Sequence, residues 1–271
     1  MTAILYPIVV LGGLGLLFGV SLGFASKVFA VETNPLVEAI REVLPGANCG
    51  ACGYPGCDGC AVAMVEGKAP ASACSVGGQS VAEKVASILG VEVGEINRQV
   101  ATVLCQGDCS KAKNKYKFAG LRDCRSQNIL AGGSKSCSYG CLGCGTCVDV
   151  CDYDAIHIVE GVAIVDKEKC VACKACIDVC PKNIIELVPY ESEVIVKCKS
   201  NDPGKVVRAN CSIGCIGCKI CVKNCPEDAF SFENFLAKIN YEKCTNCGIC
   251  VEKCPTKAIF SDIEKVSLKA Q

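Results

Sequence analysis

Hydrophobic and polar positions divide the chain into an apolar amino-terminal segment and a longer mixed part. Leu5 to Phe24 form a continuous run without a charge. At about 1.5 Å per residue, a helix of this length crosses the hydrocarbon core of a bilayer, so the run predicts one transmembrane helix. A cleaved signal peptide is the alternative, because Val28-Phe29-Ala30 is similar to a cleavage site, but no Lys or Arg precedes the run and the run is long.

Beyond this segment, the apolar pattern predicts short helices and strands. One helix is predicted from Asn34 to Leu44, ending before Pro45, and another from Gln79 to Leu89, closed by Gly90. The alternating run Ala155-Ile156-His157-Ile158 predicts a strand, in which His157 is a strand residue and not a ligand. The fold class is therefore α+β.

Glycines and charges indicate how the apolar helix is used. Gly15, Gly19 and Gly23 lie at i, i+4 and i+8 on one face, the small-xxx-small pattern that lets a partner helix approach closely. Lys27 is the basic residue beside the run, and the positive-inside rule then favours a cytoplasmic carboxyl-terminal part. Many thiols also stay reduced in a cytosol. We expect a single-pass protein of the cell (inner) membrane, with its amino terminus outside and residues 31 onward in the cytoplasm.

Cysteine spacing is the most specific signal. Ten cysteines from Cys124 to Cys180 recur, with every gap preserved, as ten more from Cys198 to Cys254, so the chain carries a duplicated module with a constant repeat offset. The inner eight of each copy read Cys-x2-Cys-x2-Cys-x3-Cys, then a spacer of constant length, then Cys-x2-Cys-x2-Cys-x3-Cys-Pro, the pattern of bacterial two-cluster ferredoxins. Three thiolates of each run bind one cubane, and the fourth binds the other cluster.

This crossed pattern predicts four ligands for each of four [4Fe–4S] clusters. The sets are Cys141, Cys144, Cys147 and Cys180 (cluster 2); Cys170, Cys173, Cys176 and Cys151 (cluster 3); Cys215, Cys218, Cys221 and Cys254 (cluster 4); and Cys244, Cys247, Cys250 and Cys225 (cluster 5). Zinc is the alternative, but zinc sites pair their cysteines and often use histidine, of which the chain has one. A secreted disulfide scaffold is disfavoured because such scaffolds are short, whereas this chain has 271 residues.

A different motif precedes the repeat. It reads Cys49-Gly-Ala-Cys52-Gly-Tyr-Pro-Gly-Cys57, and Cys74 follows further along the chain. Three thiols in a Gly/Pro loop and one distant thiol fit a further [4Fe–4S] cluster, cluster 1. The glycines at 50, 53 and 56 let the backbone approach the cluster and direct amides at its sulfides. Cys60, one helical turn beyond Cys57, is predicted to be a buried thiol.

Seven cysteines lie outside these five sites: Cys60, Cys105, Cys109, Cys124, Cys137, Cys198 and Cys211. Cys105, Cys109, Cys124 and Cys137 supply four thiols for a sixth cluster. Against this hypothesis, Cys124 and Cys137 correspond by the repeat offset to Cys198 and Cys211, which have no second pair beside them. The sequence therefore predicts five clusters and leaves a sixth open.

Charge and motifs exclude several classes of function. The formal net charge is zero, which argues against nucleic-acid binding. We find no catalytic triad, P-loop or dinucleotide fingerprint, so an electron relay without a catalytic acid, base or nucleophile is expected. The segment between Ala101 and Lys135 contains seven basic residues but only two acidic ones, Asp108 and Asp123. The basic residues are Lys111, Lys113, Lys115, Lys117, Arg122, Arg125 and Lys135. They form either an ordinary solvated face or a docking patch for an acidic redox partner.

The cysteines and the apolar run predict five regions. They are a transmembrane anchor (1–30), a four-cysteine [4Fe–4S] domain (31–90), a basic connector with cysteines (91–136), a first two-cluster ferredoxin module (137–190) and a second module with a short polar tail after Ser261 (191–271).

The glycine-rich anchor, the Cys49–Cys57 motif with Cys74 and the ferredoxin repeats together resemble the B subunits of Rnf complexes, which are ion-translocating ferredoxin:NAD oxidoreductases. The resemblance covers essentially the whole chain, and the two modules are similar to the longer forms of anaerobes. It implies electron uptake from soluble ferredoxin and transfer to the other membrane subunits of the complex, coupled to sodium or proton export. Some relatives lack a counterpart of Cys144 and keep those of Cys137 and Cys141, which implies Cys137 as a substitute ligand.

Two other classes of function stay open. A membrane-anchored polyferredoxin that serves another reductase would use the same ligands without ion coupling. A non-redox metal-binding protein would use the thiols without electron transfer.

Overall fold

The structure is a computed structural model that describes residues 2–28, 34–94 and 97–261. The predicted polar tail and most of the cleavage-like motif at 28–30 lie outside the described residues. The helices are α1 (Thr2–Val28), α2 (Pro35–Val43), α3 (Gly56–Val65), α4 (Gly78–Leu89), α5 (Cys124–Ile129), α6 (Thr146–Asp149), α7 (Ala175–Asp178), α8 (Gly204–Asn210), α9 (Ile220–Lys223) and α10 (Ile249–Lys253). The strands are β1 (Gln99–Val103), β2 (Ile156–Val159), β3 (Val162–Val165), β4 (Ile185–Pro189), β5 (Val194–Val196), β6 (Phe230–Glu233), β7 (Leu236–Ile239) and β8 (Ile259–Ser261).

The apolar run forms one continuous helix, α1. Its segment Val10–Lys27 is long and apolar enough to cross a membrane, and its described side chains do not pack against the rest of the chain. Among the described residues, nothing lies within 4 Å of a Cβ built on Gly15, Gly19 or Gly23. The face that these glycines form is therefore open to a lipid or a partner helix.

Three helices build the small domain after the anchor. Asn34 caps α2, because its Oδ1 accepts the N–H of Leu36 at 3.0 Å, and Pro35 occupies the first turn. Gly90 ends α4 in the left-handed conformation with φ +69°. Both predicted helices are thus confirmed to within one residue. The helices pack around a buried core, whose members include Ile40, Cys60, Ala61, Met64 and Val85.

The two ferredoxin modules have the same strand pairings. In each module a hairpin forms, β2 with β3 and β6 with β7, and the predicted strand that contains His157 is β2. The last strand of each module pairs with a strand that precedes the module's ferredoxin motif, β4 with β1 and β8 with β5. The segment predicted as a connector therefore completes the sheet of the first module through β1.

The residues after β1 lie between the modules. Ala112 forms an isolated β-bridge with Cys211, and the Lys113 N–H donates to the Asn210 carbonyl at 2.9 Å. The Gln106 Nε2 donates a hydrogen bond to the carbonyl oxygen of Lys257, near the end of the second module, at 2.6 Å. These hydrogen bonds therefore hold the second module against a segment that belongs to the sheet of the first.

Candidate iron–sulfur sites

The crossed ligand sets of the second module surround two cavities. One cavity is lined by Cys215, Cys218, Cys221 and Cys254, and the other by Cys225, Cys244, Cys247 and Cys250. Burial raises the pKa of Cys250 to about 12, and the neighbouring thiolates of Cys244 and Cys247 add to this rise. The structure therefore brings together the four thiols predicted for cluster 4 and the four predicted for cluster 5.

The set predicted for cluster 3 also converges. Burial is the largest of the effects that raise the pKa of Cys176 to about 12. The charges of Cys170, Cys173 and Cys151 raise it further. Cys151 comes from the first cysteine run, whereas the other three come from the second. The chain path thus produces the crossed arrangement that the spacing predicts.

The site of cluster 2 contains five thiols. Its cavity is lined by Cys124, Cys141, Cys147 and Cys180. The Cys144 thiol instead donates to Gln127 Oε1 at 3.1 Å and lies beside Cys124. The predicted substitute for Cys144, Cys137, lines a different cavity. Cys124 is therefore the additional thiol at this site, to which the ferredoxin spacing does not assign it.

Glycine is required in the first loop of each module. Gly143 and Gly217 occupy equivalent positions of the repeat, both with positive φ (+71° and +67°). A Cβ at Gly143 would overlap the Gly161 carbonyl oxygen, and one at Gly217 would stand 2.8 Å from the Phe235 carbonyl oxygen. Both contacts are too close for a side chain. The cluster loops can therefore lie directly on the hairpin turns.

Backbone amides donate to several of the cluster sulfurs. The Ala155 N–H donates to Cys151 Sγ at 3.4 Å, and the Ala229 N–H donates in the same way to Cys225 Sγ at 3.4 Å. A further such bond, from Ala258 to Cys254 Sγ, measures 3.3 Å. Hydrogen bonds to sulfur stabilise the thiolate form and tune the potential of an iron–sulfur cluster.

The thiols predicted for cluster 1 lie around the start of α3. Asn48 Oδ1 accepts the Cys57 N–H at 2.8 Å, which fixes the loop before the helix. Burial raises the pKa of Cys60 to about 12, and a hydrogen bond with Cys52 and the charges of Cys52, Cys74 and Cys57 add to it. Cys60 is buried within α3 as predicted, and it also belongs to this group of thiols. Cys49 is exposed.

The cluster 1 domain contacts the first module near cluster 3. Lys174 Nζ donates to the Ala51 carbonyl oxygen at 3.4 Å. The pKa of Tyr153 is raised first by burial and then by the thiolates of Cys49 and Cys173, one from each site. The sites of clusters 1 and 3 are therefore neighbours.

The chemistry of these groups fits iron–sulfur clusters. All 27 cysteines lie within the described residues, and none forms a disulfide. Among the described residues, no three Cys, His, Asp or Glu side chains converge as closely as a single metal ion requires. The thiols instead surround cavities, as a larger inorganic cluster requires. Burial raises the pKa of Cys147, Cys176, Cys221 and Cys250, so cluster binding displaces protons from these thiols.

The four thiols of the hypothetical sixth cluster are separated into three places. Cys105 and Cys137 line one cavity together with Cys198 and Cys211. Cys124 lies beside Cys144, as described above. Cys109 is exposed, and its Sγ packs against Gly161, where it would stand 2.7 Å from an added Cβ. Cys105 and Cys198 are related by the strand pairings of β1 and β5. The cysteine spacing does not show this relation.

The seven basic residues between Ala101 and Lys135 also lie in different surroundings. Lys135 is 4% exposed, and its Nζ donates to the carbonyl oxygens of Gly107 (2.6 Å) and Gly161 (3.0 Å). Lys111 forms an ion pair with Asp108, and its ammonium lowers the pKa of that carboxyl. The five remaining basic residues are exposed: Lys113, Lys115, Lys117, Arg122 and Arg125.

Two family profiles match the regions that hold the predicted ligands. One, described as a putative Fe-S cluster, matches residues 44–76. The other, described as a 4Fe-4S dicluster domain, matches residues 140–184 and again residues 214–258. The chain thus carries one Fe-S domain and two 4Fe-4S dicluster domains, and [4Fe–4S] clusters are its cofactors.

Three relatives match nearly the whole chain. The B subunit of the Na⁺-translocating ferredoxin:NAD⁺ oxidoreductase complex of Acetobacterium woodii is 51% identical over 97% of this chain and 80% of its own length. The B subunit of the ion-translocating oxidoreductase complex of Methanosarcina acetivorans is 44% identical over 95% and 98%. The B subunit of the proton-translocating ferredoxin:NAD⁺ oxidoreductase complex of Clostridium ljungdahlii is 46% identical over 90% and 87%. This chain therefore belongs to the B-subunit family of ion-translocating (Rnf) oxidoreductase complexes.

Proposed function

We propose that this subunit accepts electrons from reduced soluble ferredoxin and passes them through [4Fe–4S] clusters to the membrane-embedded subunits of its complex. Clusters 1 to 5 supply one-electron redox chemistry when bound. The protein's own residues position each cluster and tune its potential through burial and backbone N–H donors. For cluster 2 we keep Cys141, Cys147 and Cys180 as ligands, with Cys124 and Cys144 as competing fourth ligands.

The order of the cysteine groups is the observation that carries this proposal. Cys49 of cluster 1 neighbours Cys173 of cluster 3, and Cys176 of cluster 3 neighbours Cys147 of cluster 2. In the second module, Cys250 of cluster 5 neighbours Cys221 of cluster 4. The groups of the first module thus form a series that ends in the domain that follows α1 in the chain. A series that ends in the domain joined to a membrane helix suits electron delivery to partners in the membrane.

The membrane location is part of the proposal. We infer that α1 crosses the cell membrane once, with the amino terminus outside and the cluster domains in the cytoplasm. Lys27 at the end of α1 supports this orientation, because basic residues are retained on the cytoplasmic side. The open glycine face of α1 supports close packing with a helix of another subunit.

For the ferredoxin donor, we propose docking at the exposed basic patch, defined as Lys113, Lys115, Lys117, Arg122 and Arg125. The backbone at Lys115 is held by a hydrogen bond, in which its N–H donates to the Ser134 carbonyl oxygen at 2.7 Å. Leu121 and Ile129 beside it are 78% and 86% exposed, so apolar surface accompanies the charge. Exposed basic side chains with apolar side chains near them in the chain suit transient binding of an acidic protein.

Stopped-flow kinetics test the donor. The anaerobically purified full-length chain is mixed with reduced ferredoxin, and the bleaching of its visible absorbance is followed. The triple variant Lys113→Gln, Lys115→Gln, Lys117→Gln should be reduced more slowly at low salt. The difference should shrink as salt reduces the screening length, which is about 8 Å at physiological ionic strength.

A matched control removes the same charge elsewhere. Lys205, Lys223 and Lys243 of the second module are exposed, and their replacement by glutamine should leave the reduction rate unchanged. Equal rates for both triple variants would remove the docking patch from the proposal. Reduction by dithionite but not by ferredoxin would instead favour a polyferredoxin that serves another reductase. A colourless chain without iron and sulfide would favour a non-redox metal-binding protein.

A further inference from the structure

A cavity between the two ferredoxin modules is lined by four cysteines that belong to none of the five sites: Cys105, Cys137, Cys198 and Cys211. With its open mouth, this cavity measures about 500 Å³, compared with about 360 Å³ at cluster 2 and about 390 Å³ at cluster 4. It therefore has at least the space of the ferredoxin-type sites. All four cysteines lie outside the ranges that the family profiles match.

The four thiols form two pairs of equivalent positions, with one member of each pair from each module. Val103 pairs with Ile185 in the first module, and Val196 pairs with Ile259 in the second. These partners, Ile185 and Ile259, are separated by the same repeat offset as the cysteines. Because Cys105 and Cys198 each follow the paired valine by two positions, they are equivalent in the two sheets.

The other two thiols are equivalent by sequence. Cys137 and Cys211 are separated by the same repeat offset. Each module therefore contributes one thiol after its first strand and one before its ferredoxin motif. This duplication produces a four-thiol site only where the modules meet.

Backbone amides donate to each of these four sulfurs. The Cys141 N–H donates to Cys105 Sγ at 3.4 Å. The remaining three sulfurs accept N–H groups from Tyr139 and Gly140 (to Cys137), Ser200 and Cys215 (to Cys198), and Ile213 and Gly214 (to Cys211). The first ferredoxin cysteines of the modules, Cys141 and Cys215, are again equivalent donors. This environment is the one that stabilises thiolate ligands of a cluster.

A buried positive charge completes the site. Lys135 lines the cavity together with the four thiols, and its side chain is almost completely buried. An anionic group of several thiolates and an inorganic core is costly in low-dielectric surroundings unless a cation lies close to it. The surroundings of the four thiols therefore favour an anionic ligand.

We propose that Cys105, Cys137, Cys198 and Cys211 bind a sixth [4Fe–4S] cluster at the interface of the two modules. Hydrogen bonds connect it to both neighbours, because Cys141 belongs to cluster 2 and Cys215 to cluster 4. When bound, this cluster would supply one-electron transfer between the modules, and the four cysteines would hold it where clusters 4 and 5 join clusters 2, 3 and 1 in one series. This relay role rests on the proposed function, whereas the presence of the cluster does not.

The test compares two cysteines that the two ligand sets distinguish. Cys198 belongs to the proposed set, whereas Cys109 belongs only to the set suggested by sequence spacing. Full-length chain is purified anaerobically, its clusters are counted by native mass spectrometry, and iron, sulfide and zinc are measured. Wild type should carry six clusters, or about 24 irons per chain. Cys198→Ser and Cys211→Ser should each lose one cluster, about one sixth of the iron, while Cys109→Ser keeps all six.

Several results would overturn the proposal. Five clusters in the wild type would do so without any variant, even if the variants fold poorly. A full iron complement in Cys198→Ser, or loss of a cluster in Cys109→Ser alone, would return the ligands to the other set. One zinc per wild-type chain that is lost in Cys211→Ser would identify a zinc site. None of these counts depends on ferredoxin. A wrong assignment of the electron donor would therefore change the stopped-flow rates and leave the cluster counts unchanged.

Discussion

Replacement of Lys135 by methionine should destabilise the part of the chain where the modules meet. The lysine connects the loop at Gly107 to the β2–β3 turn at Gly161 through two hydrogen bonds, and it is almost completely buried. Methionine has a similar length and no charge, so the change removes both donors while filling the same space.

The magnitude follows from the two carbonyl acceptors. A buried acceptor without a donor costs about 1–3 kcal/mol, so the loss of both donors costs about 2–6 kcal/mol. Part of this is recovered, because methionine does not carry the desolvation cost of a buried ammonium. We take about 2 kcal/mol as the net loss. Since about 1.4 kcal/mol changes a rate tenfold, unfolding should accelerate about 5- to 30-fold, depending on how much of the loss appears in the unfolding barrier.

The rate of cluster loss measures this effect. The anaerobic protein is placed in a chaotrope, and the decay of visible absorbance and the release of iron are followed. The control is Lys113→Met, which makes the same chemical change at an exposed position of the same segment. Equal decay rates for the two variants would refute the role given to Lys135. In the folded variant, the potential of the nearest cluster should also fall, because its more negative reduced form loses a neighbouring cation.

Three further predictions concern the ligands and the anchor. Cys180→Ala should remove the cluster held with Cys141 and Cys147 and harm its neighbour less, as EPR on the reduced protein can measure; loss of cluster 3 alone would contradict the crossed assignment. Cys124→Ser should lower the iron content by one cluster while Cys144→Ser retains it, because Cys124 lines the cavity; the reverse result would restore Cys144 as the fourth ligand. Helix α1 should retain the intact chain in membranes after high-salt and carbonate washing, and its release into the supernatant would exclude a transmembrane anchor.

Features set by local sequence could be predicted. The loop spacing of a ferredoxin run is confined to a few residues, so the convergence of Cys225 with Cys244 and Cys250 followed from the pattern alone. The caps of α2 and α4 are similarly local, because Asn34 and Gly90 act on the adjacent turn.

Features set by distant pairing could not be predicted. The repeat offset aligns Cys198 with Cys124, whereas the strand partners align it with Cys105. The difference arises because β1 pairs with β4 across the whole first module, and the segment after β1 has no counterpart in the second copy. The sequence places Lys135 among the other basic residues of its stretch for a similar reason, since its burial depends on the β2–β3 turn.

The shared cavity also has a consequence for how the protein is made. Domains fold in order as they leave the ribosome, so the first module is complete before the second is synthesised. At that stage Cys105 and Cys137 are present without their two partners, and the junction can be metallated only after Cys211 has been translated. A chain truncated before Cys211 would therefore hold reducible clusters only in its amino-terminal part, without the junction cluster and without clusters 4 and 5. Electron transfer across the junction is thus a property of the finished polypeptide only.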